Sequence, residues 1–225
     1  MRRSIPAFTA IAALAIASPA AAKISEIGVQ DGGSLPAASC PKHCNAIDQV
    51  TGYQVQIDDA KNPYLIHHRG KIVAFTIALG DPNRKQTRFF TNRFGDKPTA
   101  RLSILKLGHH HREAKLVSQS EVFDLSDYLG STPQFALSQP LRVRRRDVVA
   151  LTVPTWAPAF AVNLDKNHAW RSSRRSSRCN DFSQQATHQT LGSTRRYGCF
   201  YRTAQLLYSA TYIRDPKKTS TTGGN

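Results

Sequence analysis

Apolar and polar residues alternate with a period of two along much of this chain. Over residues 52–57, Tyr53, Val55 and Ile57 fall on one side and Gln54 and Gln56 on the other, the mark of a strand buried on one face. Residues 71–80 are β-branched and aromatic, bounded by Gly70 and Gly80, and of strand rather than helix length, so a central core strand is expected there. Residues 100–107 alternate again, and 116–123 return as their hairpin partner. Residues 148–153 are apolar except for Thr152, which predicts burial on both faces or nearly so.

Shorter pieces complete the pattern. Residues 135–137 and 141–143 read as two strands broken by Pro140, 160–164 as another, and 200–213 as one long final strand. Pro154 and Pro158 interrupt the chain around Trp156. One helix is expected, opening at Asp81 and Pro82 and closing at Gly95, with Phe90 and Phe94 four apart on its apolar side, Phe89 beside them, and Arg84, Lys85, Arg88 and Arg93 in water. Many strands with one short helix predict an all-β fold, a two-sheet antiparallel β-sandwich of jelly-roll type. Residues 70–75, 101–105 and 141–151 strengthen that reading, because they resemble a secreted bacterial jelly-roll family with no assigned activity. In that family a glycine usually precedes the aspartate of the turn, where this chain has Arg146 before Asp147. The resemblance implies a shape related to carbohydrate-binding modules and carries no functional residues over.

The ends set the compartment. Arg2 and Arg3 precede an apolar run of 13 residues that closes on Ala20, Ala21 and Ala22, the pattern of a signal peptide over residues 1–22 cleaved before Lys23. The run is short of the roughly 20 residues of a spanning helix. We therefore expect a secreted protein, without a transmembrane segment once cleaved and associated with the cell wall. Its parts would be a flexible leader over 23–39, a sandwich domain over 40–213 and a disordered tail over 214–225. Export suits the four cysteines, and local pairing of Cys40 with Cys44 and Cys179 with Cys199 is favoured over long-range connectivities. Zinc ligation or redox chemistry at the Cys-Pro-Lys-His-Cys run is the lesser reading, because the spacing is wrong for both.

Beyond residue 22 there are 29 basic and 15 acidic residues, a net charge of +14 with histidines neutral. Such an excess predicts attraction to polyanions. The strongest candidate binding surface is the disulfide-bounded region holding Arg171, Arg174, Arg175, Arg178, Arg195, Arg196 and Tyr197, with Trp156 and Trp170 as rings that would stack on a sugar or base. Other constellations have plainer explanations. His109, His110 and His111 sit in a hairpin tip and point to alternate sides, while Asp124 and Asp127 read as a helix cap and first-turn acid rather than glycosidase carboxylates. The Leu-Gly-Ser-Thr runs at 129–132 and 191–194 are two similar turns without the second glycine of a nucleophile elbow.

The sequence calls for no cofactor and no metal. It favours a non-enzymatic module that associates with anionic or glycan material of the envelope. A secreted hydrolase and a non-specific nucleic-acid binder are the rival functions.

Overall fold

In a computed structural model, residues 23–29, 33–108, 112–181 and 188–216 are described. The proposed signal peptide, the His109 to His111 tip and most of the tail lie outside them. Among the described residues fifteen strands and one α-helix follow one another. The first half holds β1 (Ile24–Ile27), β2 (Ile47–Ile57), β3 (Ala60–Lys61), β4 (Gly70–Ile77), α1 (Arg84–Phe94), β5 (Thr99–Leu107), β6 (Glu113–Gln119) and β7 (Phe123–Asp124). The second half holds β8 (Gln134–Val143), β9 (Asp147–Ala157), β10 (Phe160–Val162), β11 (Ala169–Ser172), β12 (Thr194–Arg196), β13 (Cys199–Arg202), β14 (Ala204–Leu206) and β15 (Tyr208–Arg214).

The fold is all-β and sandwich-like. A four-stranded antiparallel sheet runs β1-β15-β4-β8, and a nine-stranded sheet follows the path β12-β6-β5-β9-β2-β11-β13, with β3 and β7 attached to β2 and β5. The large sheet curls, because its outer strands β12 and β13 are separated in the chain only by Tyr197 and Gly198. Between the two sheets lies one apolar core, with Ile72, Phe75 and Ile77 from β4 facing Leu102 and Ile104 of β5 and Val149 and Leu151 of β9. At its centre the rings of Tyr64 and Tyr208 stack at 4.3 Å. The Tyr64 hydroxyl donates to the Tyr208 carbonyl and that of Tyr208 donates to the Val149 carbonyl at 3.0 Å, so neither buried hydroxyl is left unpaired.

Several expectations need correcting. The run over 200–213 is three strands in three sheets, β13 in the large sheet, β14 in a separate two-stranded sheet with β10 and β15 in the four-stranded sheet, because Thr203 takes a left-handed φ of 58° and turns the chain out of the large sheet. Residues 135–143 form one strand, β8, since Pro140 sits on a sheet edge where a missing N–H costs no ladder bond. Strand β9 likewise continues through Pro154 to Ala157. Opposite Pro154 and Thr155, β2 offers only Gln49, at φ 44°, and this bulge absorbs the proline. The leader is not structureless throughout: β1 pairs with β15, and Glu26 accepts hydrogen bonds from Ser209 and Thr211 at 2.6 and 3.0 Å.

Helix α1 begins two residues later than expected. Asn83, not Asp81, caps it: its side chain accepts from the Lys85 and Gln86 amides, while the Gln86 side chain accepts from the Asn83 amide at 2.8 Å. This reciprocal capping box satisfies amides that an Asp81 cap would leave open. Replacing Asn83 with alanine should cost about 1 kcal/mol in urea unfolding, with an unchanged denaturant slope.

Candidate functional site

Of the nine residues expected at a binding surface, four are buried. Trp156 is fully enclosed against Phe90 and Phe94, and its indole N–H donates to the Gly95 carbonyl at 3.1 Å. Trp170 stacks on Tyr201 at 4.5 Å and lies over Gly52, where any side chain would collide with its ring. Tyr197 is fully buried and donates to Gln189 at 2.6 Å. Arg174 is buried in an ion pair with Asp48, Nη2 to Oδ1 at 2.8 Å. Stacking of either tryptophan on an external sugar or base is thereby overturned: both rings anchor the interior.

The other five reach the surface to different degrees. Arg171 is half-buried, donates to the Tyr197 carbonyl at 3.1 Å and covers the Phe200 ring at 4.8 Å. Burial lowers its pKa. Arg195 is partly exposed on β12, and Arg196 beside it is exposed. Arg175 and Arg178 are exposed on a 3₁₀ turn near the Cys179–Cys199 disulfide, and Arg178 pairs loosely with Asp181 at 3.8 Å.

The disulfide-bounded region is partly interior for a reason its composition hides. Inside the curled sheet, Ser103, Thr152 and Thr51 form a chain of hydroxyl hydrogen bonds at 2.7 and 2.8 Å. Gln189 joins it through its amide at 2.9 Å and spans to the Ala114 and Ser193 carbonyls. A polar segment is buried here because polar strand residues are waiting for it.

A basic groove among the described residues lies elsewhere, at the β8–β9 turn. It encloses about 670 Å³. It is lined by Arg142, Arg144, Arg145 and Arg146, by Lys106 and Leu107 from the end of β5, and by Val117 and Ser118 of β6. All five basic side chains are exposed. The one acid, Asp147, is buried and accepts the Arg144 amide at 2.7 Å, so its charge serves the turn. Burial pushes its carboxyl pKa up against the pull of Lys106 and Arg144.

The local architecture runs against stability in three places. Lys71 stands directly opposite Arg142 across β4 and β8, and Lys106 opposite Lys115 across β5 and β6. Facing like charges are destabilising, although Lys106 has Asp147 on its other flank. Arg146 adopts a φ of 74°, a conformation that suits glycine. Arg144, Arg145 and Arg146 are consecutive in the sequence, but the register that sets Lys106 opposite Asp147, next to them, is not legible there.

Other candidates resolve simply. Asp124 pairs with Lys97 at 2.8 Å and accepts from the Ser126 amide and hydroxyl, and these partners hold its carboxyl down to about 2, unsuited to proton donation at neutral pH. Ser131 and Ser193 each donate to the carbonyl three residues back at 2.6 Å, beside Gly130 and Gly192 in left-handed conformation, so the repeated runs are one turn used twice. Cys40–Cys44 and Cys179–Cys199 are both disulfides, which leaves no thiolate for zinc. Among the described residues no group of three His, Cys, Asp or Glu side chains gathers to hold a metal. The disulfides fit an oxidising environment, and no described helix is long and apolar enough to cross a membrane. Comparison with known families, with characterised proteins and with solved structures finds no match to this chain.

Proposed function

We propose that this protein is a secreted, non-enzymatic binding module that holds an anionic polymer of the cell envelope in the groove between the β8–β9 turn and the β5–β6 hairpin. The observation that carries the reading is five exposed basic side chains around one concavity, against a single acid already engaged by the backbone. Guanidinium groups present paired donors that match phosphate and carboxylate oxygens, and four of the five are arginine. Charge rather than ring stacking is the basis of recognition, because both tryptophans are internal.

Retention of the mature chain on isolated cell wall, on neutral polysaccharide and on duplex DNA tests this. Binding to wall should fall with salt at a log–log slope of about 4, as expected for roughly five ionic contacts by analogy with counterion release from nucleic acids. Neutral polysaccharide should retain nothing. Equal retention on the neutral polymer at high salt would overturn the reading, as would no retention on wall. Tighter binding to DNA than to wall would replace it with nucleic-acid recognition.

A further inference from the structure

A second positive surface lies at the other end of the molecule. The groove sits at the start of β9 beside Asp147, whereas α1 packs on Trp156 near the end of the same strand, roughly 30 Å away along an extended backbone. Phe90 and Phe94 face inward on the helix and carry the packing. Phe89 does not share that burial. It is 56% exposed, touching the edges of Phe90 and Phe94 while presenting much of its ring to solvent.

Basic side chains predominate on the part of α1 that carries Phe89, and the nearby acid Asp48 is buried. Arg84, Lys85, Arg88 and Arg93 all lie on the exposed part of α1, and the helix contains no acid. The nearest acids in sequence, Asp81 and Asp96, flank it outside its ends. Arg84 and Lys85 occupy the first turn, where cations oppose the helix dipole, so this arrangement is not the one that best stabilises the helix. The Cys40–Cys44 loop is tied alongside, through Gln86 Nε2 donating to the Pro41 carbonyl at 2.9 Å, and it adds exposed Lys42 to the same end.

A solvent-facing aromatic ring with Lys85 and Arg93 one turn to either side, on a short helix that also carries Arg84 and Arg88, is the chemistry of an interfacial anchor. The ring enters the boundary between headgroups and acyl chains, and the cations meet lipid phosphates. We infer that α1 docks this protein on an anionic lipid bilayer, with Phe89 inserted and Arg84, Lys85, Arg88 and Arg93 at the headgroups. The inference is independent of the groove. It uses other residues at the opposite end.

Co-sedimentation of the full mature chain with vesicles tests it, comparing phosphatidylglycerol and phosphatidylcholine in equal parts with phosphatidylcholine alone. The wild type should bind the anionic vesicles and not the neutral ones. Phe89→Ala should weaken binding about tenfold, the loss expected for a partly buried aromatic side chain. Reversal of Lys85 and Arg88 to glutamate should weaken it further, since each basic residue at an anionic surface strengthens binding about fivefold. An Arg144→Gln, Arg145→Gln variant should sediment like the wild type, while the Phe89 variant should keep its retention on isolated wall. All substituted side chains are exposed, and an unchanged thermal midpoint verifies folding. Failure of the wild type to bind anionic vesicles overturns the inference. So does a Phe89→Ala protein that binds equally well, or loss of vesicle binding in the groove variant instead.

Discussion

Replacing Arg174 with alanine should destabilise the protein by about 3–5 kcal/mol, the largest effect expected of any single substitution here. Asp48 is almost completely buried on β2, and Arg174 supplies its counter-charge at 2.8 Å together with a longer bond to its carbonyl at 3.4 Å. Burial raises the Asp48 pKa above its ordinary 3.8 even with Arg174 beside it. Without the guanidinium, the desolvation remains and only the weaker pull of Arg93 offsets it. A folded-state pKa above the unfolded value means that the folded protein binds the proton more tightly, so stability falls as pH rises through that interval. The deficit of the variant should therefore be greatest at neutral pH and shrink as pH falls towards 3.8. Urea unfolding at several pH values measures this. The companion variant Asp48→Asn, Arg174→Met should recover much of the loss, because it removes both charges together. A deficit that does not change with pH would show that packing of the Arg174 stem, not charge compensation, is what matters.

At the groove, stability and binding should move in opposite directions. Arg146→Gly should stabilise the fold by up to about 1 kcal/mol, since glycine adopts the φ of 74° without the clash that an L side chain meets there. The same change should weaken binding to isolated wall about fivefold through loss of one ionic contact. Neutralising Arg142, Arg144 and Arg145 together as glutamine should lower affinity by about two orders of magnitude at low salt, for three contacts of roughly 1 kcal/mol each. The fold should tolerate it, because these side chains are exposed and Arg142 loses an unfavourable neighbour in Lys71. Calorimetric melting and wall-retention curves supply both readings. If Arg146→Gly lowers the melting temperature, the turn is not strained in the way proposed. If the triple variant binds wall normally, the groove is not the site.

The strands legible in the sequence are those whose alternation a single sheet imposes over many residues. Strands β4 and β5 and the apolar part of β9 lie close to their expected positions because each has one buried face or two, whereas the strand expected over 116–123 is β6, ending at Gln119, and the separate β7. Alternation does not say which sheet a residue belongs to, so the change of partner at Thr203 was invisible. Nor does a four-residue segment such as Ile24–Ile27 or Ala169–Ser172 carry enough periods to be distinguished from loop. Trp156 and Trp170 were misplaced for related reasons. The flanking prolines of Trp156 suggested an exposed loop, but the bulge at Gln49 admits Pro154 within the sheet. Trp170 sits beside a run of arginines, yet its strand partners Gln54 and Tyr201 hold it inside.

Closure of the large sheet also bears on how densely these molecules can be crowded. Exposed backbone margins are the templates on which neighbouring chains add strands and begin to aggregate. Here the outermost strands of the wide sheet are brought round towards each other by a two-residue link. The smaller sheet ends on β8, which carries Pro140, and on β1, only four residues long. At high local concentration this protein is thus poorly equipped to polymerise with itself, so crowding need not end in fibres.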